Sequence, residues 1–149
     1  MKKILTLLIP LLIFTSCSSK EEVLSSSHSE ESQKEINMKP YIDEIELEVS
    51  WEDNNSVKAL KEILPLTINM HEYGGFEQTG MVGQNIVRND KQIDVIPGDI
   101  VLYNGNQISV FYSTSSWSYT RLGHITNKSN SELNALLNKE SVTFVVKVL

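Results

Sequence analysis

A β-hairpin signal over residues 99–112 constrains the fold of this chain more than any other stretch. The sequence reads DIVLY, then the pair Asn104-Gly105, then NQISVFY, so that the pair stands between two apolar runs. Asn-Gly is the preferred connection between paired strands because both of its residues must take a positive φ. We therefore expect two antiparallel strands joined by a two-residue turn. The Ser-rich stretch after them, up to Tyr119, is expected to be a loop.

Short strand-like runs recur on both sides of this hairpin. The run IELEVSW (45–51) alternates strictly between apolar and polar residues, which predicts one strand with a buried and a wet face. The runs LTINM (66–70), TRLGHI (120–125) and SVTFVVKV (141–148) are predicted strands as well. Residues 71–92 hold four of the seven glycines and have no clear period. We expect an irregular excursion with short strands there, and long loops of this kind are often functional.

Two short helices are expected among the strands. The run EDNNSVKALKEIL has a helical period, with Asn54 or Asn55 as its cap and Pro65 as its stop. The residues SNSE (129–132) form a capping-box pattern that opens a second helix. The apolar residues expected on the buried sides are Val57, Leu60, Ile63, Leu64, Leu133, Leu136 and Leu137. At least six strands and two helices predict a mostly-β domain, a small barrel or sandwich with helices at its ends.

The first seventeen residues have the pattern of an export signal. Lys2 and Lys3 precede the apolar run 4–14, and small residues lead to Cys17. That order is typical of a secretory signal peptide, and the apolar run is too short to span about 30 Å of hydrocarbon. The stretch FTSC that ends at Cys17 resembles the lipobox of bacterial lipoproteins. The resemblance implies that Cys17 receives a thioether-linked diacylglycerol with fatty acyl chains such as palmitate. A plain signal peptide with a chance cysteine is the alternative.

The division of the chain follows from this interpretation. Residues 1–16 are the predicted lipoprotein signal peptide, and 17–40 are the lipidated Cys17 with a disordered Ser- and Glu-rich tether. Residues 41–149 are the predicted domain. Cys17 is the only cysteine, so the domain must be held by its core without a disulfide. We expect the protein in the bacterial cell envelope, on the non-cytoplasmic side, with the membrane as its partner through the acyl chains.

The order of the motifs within the domain is similar to that of the bacterial cyclophilin-like domain family. The motifs are LPLTINM after a short helix, PGDIVLY leading to ISVFY, and WSYTRLGHI, and they cover about residues 44–149. The resemblance implies a closed or nearly closed cyclophilin-like β-barrel with two short helices. It does not imply peptidyl-prolyl isomerase activity, because this family generally lacks the active site of true cyclophilins. Neither Arg88 nor Arg121 stands in the sequence setting of the catalytic arginine of true cyclophilins.

Two segments supply the candidate ligand-binding residues. Trp117, Tyr119 and Arg121 share one face of an extended segment, since side chains alternate with period two. A guanidinium beside aromatic rings can hold a carboxylate or stack on a planar ligand. Alternatively, the aromatic rings close the barrel end and Arg121 pairs with an acid. The 71–83 segment would form the opposite wall of a groove. The candidate set is Met70, Tyr73, Phe76, Trp117, Tyr119 and Arg121.

The composition and the motifs argue against several classes of function. A metal site is not expected, because the domain has only His71 and His124 and zinc needs three or four ligands. No cofactor motif and no catalytic constellation is found. The net charge of −6, without a Lys/Arg cluster, argues against nucleic acid. We expect a membrane-anchored lipoprotein whose domain binds an unidentified small molecule or peptide without catalysis. The alternatives are a peptidyl-prolyl isomerase acting on exported proteins and a purely structural envelope protein; the oligomeric state stays open.

Overall fold

The computed structural model describes residues 37–149. The predicted signal peptide, Cys17 and most of the predicted tether lie outside these residues. Within them, no helix is both long enough and apolar enough to cross a membrane. The strands are β1 (Met38–Ile42), β2 (Ile45–Glu46), β3 (Val49–Trp51), β4 (Leu66–Tyr73), β5 (Glu77–Met81), β6 (Lys91–Val95), β7 (Asp99–Tyr103), β8 (Gln107–Phe111), β9 (Ser115–Ile125) and β10 (Ser141–Val148). The helices are α1 (Asn55–Glu62) and α2 (Asn130–Leu137).

Nine of these strands form one strongly curled antiparallel sheet in the order β2-β1-β10-β4-β5-β8-β7-β9-β3. The strands at the two ends of this order, β2 and β3, are joined by residues 47–48 alone. The Leu47 N–H donates to the Pro40 carbonyl at 2.9 Å, and the Thr126 N–H donates to the Glu48 carbonyl at 2.8 Å. The short link is therefore hydrogen-bonded to both ends of the sheet. The fold is the mostly-β, nearly closed barrel with two short helices that the sequence predicts.

The interior of the barrel is filled by alternate side chains of the strands together with apolar residues of both helices. Phe144, Ile100 and Leu122 are fully buried there, and Leu60 of α1 and Leu137 of α2 pack in the same cluster. Burying one such side chain stabilises a fold by about 1.5–3 kcal/mol. The barrel core and the two helices thus form one unit that is held by apolar packing.

Both helices begin where local capping chemistry predicts. The Asn54 side chain accepts from the Val57 N–H at 2.9 Å, while its own amide donates to the Arg121 carbonyl at 2.8 Å. Ser129 and Glu132 form a complete capping box at α2. Hydrogen bonds from the Ser129 backbone and side chain lower the pKa of the Glu132 carboxyl. The predictions for both helix starts are confirmed.

Strand pairing corrects one sequence prediction in the first half of the domain and confirms another. The single strand predicted over 45–51 is wrong, because the chain passes there from one end of the sheet to the other. Ile45 is 46% exposed instead of buried. The irregular excursion with short strands that is predicted over 71–92 is confirmed, since β4 ends at Tyr73, β5 follows after a short turn, and residues 82–90 belong to no strand.

The bounds of the hairpin and of the tether also differ from those that the sequence predicts. Asn104 and Gly105 both take a positive φ as predicted, at 54° and 80°, but Asn106 extends the connection to three residues. The Ser-rich stretch after the hairpin belongs to β9 instead of a loop. The predicted tether end at residue 40 lies inside β1, because Met38 pairs with Val148 near the end of the chain.

Candidate functional site

The outer faces of β5, β7 and β8 are covered, which is unusual for strands in the wall of a small barrel. Side chains of a strand alternate between the two faces of a sheet, so one face of a barrel wall normally meets water. Here Phe111 and Val101 are fully buried and Ser109 is 1% exposed, although all three point away from the barrel interior. A second layer of the protein must therefore lie over this part of the wall.

A ribbon of β6 and β9 supplies part of that layer. The first half of β9 pairs with β6, whereas its second half pairs with β7 and β3. The pairing of β9 with β7 skips Leu122, which is an extra residue in β9. The resulting bulge turns Leu122 into the barrel core and leaves Tyr119 on the outer face. Val95 of β6 then packs with Val101, Phe111 and Tyr119 in a second apolar cluster outside the barrel.

The turn between β4 and β5 forms the facing wall. Phe76 is fixed by its carbonyl, which accepts from the N–H groups of Tyr112 at 3.0 Å and Ser113 at 3.2 Å. Glu72 accepts hydrogen bonds from the Gly75 N–H and, at 3.1 Å, from the Tyr112 hydroxyl. Burial, followed by the hydrogen bond to Glu72, raises the pKa of Tyr112 to about 12. The turn is therefore anchored by both its backbone and its side chains.

Between the turn and the ribbon lies an open cavity of about 490 Å³. Five aromatic side chains form its floor and rim, and polar side chains complete it. Ring centroids 5.6–6.2 Å apart link Tyr73 to Phe76, Phe76 to Phe111, Phe111 to Tyr119, and Tyr119 to Tyr103 in one continuous aromatic array. The residues that line the cavity are Tyr73, Phe76, Glu77, Tyr103, Gln107, Ser109, Ser115, Ser116, Trp117 and Tyr119.

Glu77 is the only charged residue among those that line the cavity. It is 5% exposed, and its Oε2 has no hydrogen-bond partner within the part of the chain that the structure describes. The neighbouring Ser109 hydroxyl donates to Thr79 at 2.9 Å, and the Gln107 amide donates to the same oxygen at 2.6 Å. Burial raises the pKa of the Glu77 carboxyl, and proximity of the Ser109 hydroxyl offsets part of that rise.

The structure brings four of the six candidate residues together. Tyr73, Phe76, Trp117 and Tyr119 all line the cavity. Met70 does not, because it points into the barrel between its neighbours on β4 and is 1% exposed. The expectation that Met70 forms part of the groove is therefore corrected.

Arg121 shares the outer face of β9 with Tyr119 but lies outside this cavity, in a neighbouring depression. Its guanidinium contacts the Asp99 carboxylate at 2.5 Å and donates to the Asp94 carbonyl at 3.0 Å. The Asp99 side chain is 2% exposed and also lies 2.8 Å from Nδ1 of His124. Of the two interpretations of Arg121, the structure has the one in which it pairs with an acid.

Sequence reasoning missed the polar part of the cavity. Tyr103, Gln107 and Ser109 could have been placed on one face from the alternation within the hairpin, because each stands next to an inward-facing apolar residue. Glu77 gave no such signal, since its strand lies in the stretch that has no clear period. Within residues 37–149, no three His, Cys, Asp or Glu side chains gather in a way that could hold a metal ion.

Comparisons with known proteins bear on the fold. McbB, solved in complex with tryptophan, has a TM-score of 0.56 to this chain at 10% identity, over 74% of this chain and 44% of McbB. The chain thus spans less than half the length of McbB. The hypothetical protein AF2241 from Archaeoglobus fulgidus has a TM-score of 0.55 at 19% identity, over 75% of this chain and 93% of AF2241. At these identities the likeness is one of fold.

The sequence comparisons are of two kinds. No curated protein matches the chain. The family model described as "Cyclophilin-like family" matches residues 41–148, which is nearly all of the barrel described above. The chain therefore belongs to the cyclophilin-like family.

Proposed function

We propose that the cavity on the outer face of the barrel binds a small molecule or a short peptide segment, and that the domain acts by binding without catalysis. The observation that carries this proposal is the exposed aromatic rim over a buried aromatic floor. Trp117 is 58% exposed and Tyr73 is 60% exposed, whereas Tyr119 in the same lining is 7% exposed and its ring packs against the buried Phe111. Exposed aromatic side chains gathered at a concave site are typical of ligand contacts, and about 490 Å³ suits a small ligand.

The surroundings of the potential catalytic groups favour binding over catalysis. The Ser109 hydroxyl on the cavity wall is engaged by Thr79, and the pair formed by His124 and Asp99 lies outside the cavity. Arg121 is held by Asp99 and Asp94, so it is not placed to donate to a prolyl amide in the cavity. These contacts support a binding module more than a peptidyl-prolyl isomerase.

Ligand binding by the full-length chain tests the proposal. A panel of small aromatic and aliphatic compounds and short peptides is titrated by calorimetry, and tryptophan, the compound in the McbB structure, is one member of the panel. Trp117→Ala should weaken any binding by about tenfold or more, because it removes a large apolar contact. Ile96→Ala is the matched control, since Ile96 is 53% exposed and lies outside the cavity.

Three outcomes would contradict this proposal. Equal loss in both variants would place the binding elsewhere, and binding of no compound would favour the structural role. Acceleration of cis–trans exchange in a proline peptide would establish the isomerase alternative instead.

We further propose that acyl chains on Cys17 hold the domain at a membrane of the bacterial cell envelope, on the non-cytoplasmic side. The support comes from the sequence of residues 1–17, which the structure does not describe. Residues 18–37 separate Cys17 from β1, and this Ser- and Glu-rich segment is the proposed tether. Two acyl chains give the stable anchoring that a single chain does not.

A further inference from the structure

We propose that the ligand of the cavity carries a positively charged amino group on an apolar body, and that Glu77 receives the charge while the aromatic array receives the body. This inference rests on the proposed binding function and adds the chemical class of the ligand. It follows from three observations on the described residues: a buried carboxylate oxygen without a hydrogen-bond partner, a cavity lining without a cation, and aromatic rings suited to a cation.

The unpartnered carboxylate is the first observation. Glu77 is only 5% exposed, and its Oε2 accepts no hydrogen bond from the described residues. An ionised group that is withdrawn from water without a partner is expensive, so buried polar atoms are nearly always satisfied. The exceptions are concentrated at functional sites, where the missing partner arrives with a ligand. Because Glu77 is among the residues that line the cavity, a ligand there can contact this side chain.

The composition of the wall is the second observation. None of the described residues that line the cavity is Lys, Arg or His, so residues 37–149 line it without a cation beside Glu77. Of the cations that line the neighbouring depression, Arg121 contacts Asp99, Arg88 contacts Asp90 and Lys58 contacts Asp53. A cation that enters the cavity would therefore meet no like charge on its walls.

The aromatic array is the third observation. Phe111 is the cross-strand partner of Glu77, and Tyr119 lies 5.6 Å from Phe111 by ring centroids. Ring faces carry negative potential and attract ammonium groups, most strongly where water is excluded. Burial and the charge of Glu77 raise the pKa of the Tyr119 hydroxyl, which is consistent with negative potential in this part of the cavity.

These observations separate the possible ligands by charge. An anionic ligand would meet the Glu77 carboxylate without a compensating cation. A neutral ligand would gain the aromatic contacts but would leave the ionised carboxylate without an opposite charge. A cation satisfies both the carboxylate and the rings, while Gln107, Ser115 and Ser116 on the same walls can hydrogen-bond other polar groups of the ligand.

A matched series of three compounds tests the inference on the full-length chain. Phenethylamine, phenethyl alcohol and hydrocinnamate share a phenyl ring on a short chain and differ in their terminal group, which is cationic, neutral or anionic. Calorimetry should give a Kd for the amine at least about tenfold below that of the alcohol, with the anion weakest. Glu77→Gln should bring the amine and the alcohol to similar Kd values while the alcohol still binds. Glu62→Gln removes a negative charge from the exposed surface of α1 and should leave the wild-type preference intact.

The possible outcomes show separately whether this inference fails and whether the proposed binding function fails. Phenethyl alcohol could bind as tightly as phenethylamine, with Trp117→Ala weakening the binding of both. The cavity would then bind ligands without selecting them by charge, which would contradict the inference and leave the proposed binding function standing. The inference also fails if Glu77→Gln keeps the preference for the amine. If none of the three compounds binds, both the inference and the proposed function are overturned.

The amino group could come from a free small molecule or from a lysine side chain of a peptide. A second pair of probes, acetyl-lysinamide and its norleucine counterpart, separates these sources. Charge-dependent binding of phenethylamine alone assigns the site to small amines. A preference for the lysine compound over norleucine that Glu77→Gln removes assigns it to lysine side chains.

Discussion

The carboxyl group of Glu77 lies where its neutral form is favoured, because burial raises its pKa above the ordinary value of 4.5. Well below pH 4.5 the group is protonated in both the folded and the unfolded chain, and it imposes no penalty. As the pH rises toward and through the raised pKa, the unfolded chain loses its proton first and the free energy of unfolding falls. At neutral pH Glu77 is therefore expected to weaken the fold.

We predict that Glu77→Gln raises the free energy of unfolding at neutral pH by about 1 kcal/mol, because the amide keeps the shape and removes the buried charge. The gain should shrink to nothing as the pH falls well below 4.5, where wild type is neutral as well. Urea unfolding of both proteins over this pH range measures the difference. Glu62→Gln controls for the change in net charge, and a Glu77→Gln variant that is less stable than wild type at neutral pH would contradict the prediction.

Some of the residues that line the cavity could be predicted from the sequence and others could not, for a physical reason. Trp117 and Tyr119 could be predicted to share one face because side chains alternate along an extended segment, and Tyr73 and Phe76 could be predicted in the facing 71–83 segment. Glu77 could not, because its burial depends on elements that are distant in sequence. Phe111 pairs with it across strands, and Tyr119 of the ribbon packs against Phe111.

At the scale of elements, the turn between β4 and β5 is anchored by hydrogen bonds from residues that are distant in sequence. The Tyr112 hydroxyl donates to Glu72, and the neighbouring backbone N–H groups hold Phe76. Because burial and Glu72 raise the pKa of Tyr112 to about 12, the neutral phenol is favoured in the fold. Its contribution is fully present below the ordinary pKa of 10.0 and is lost as the pH rises through about 12.

We predict that Tyr112→Phe lowers the free energy of unfolding at neutral pH by about 1 kcal/mol, since it removes this hydrogen bond. The variant should also lose less stability than wild type as the pH rises from 10.0 toward 12. Urea unfolding at alkaline pH measures both effects, and the ultraviolet absorbance of tyrosinate should lack its last titration step in the variant. Tyr41→Phe, in β1, is the matched control. Equal alkaline losses in wild type and Tyr112→Phe would show that the prediction is wrong.

Elements with local causes were predictable, and elements with distant partners were not. The starts of α1 and α2 depend on caps within three residues, and the β7–β8 hairpin depends on Asn104 and Gly105. The break within 45–51 has no signal in the local sequence. It arises because β2 and β3 pair with strands at opposite ends of the sheet. The ribbon of β6 and β9 likewise depends on pairing between segments that the sequence pattern does not relate.

In the molecule as a whole, the residues that stabilise the barrel and the residues proposed to bind the ligand lie on opposite faces of the same strands. The inner faces of the strands and the two helices share the large apolar cluster, while the cavity uses the smaller cluster around Phe111 and Tyr119. Exposed residues at the rim of the cavity can therefore change with little effect on the barrel interior. This separation is why a variant such as Trp117→Ala is expected to fold.

The last prediction concerns the anchor, which lies in sequence positions that the barrel does not need. We predict that Cys17→Ser moves the protein from the membrane fraction to the soluble fraction of bacterial cells and abolishes its labelling by a palmitate analogue. The reason is that the thioether to diacylglycerol requires the Cys17 sulfur, and no other cysteine is present. Ser26→Ala, a change within the proposed tether, should leave both location and labelling unchanged. A Cys17→Ser protein that stays membrane-bound and labelled would contradict the anchor, whereas its ligand affinity should match wild type because the cavity lies wholly within residues 73–119.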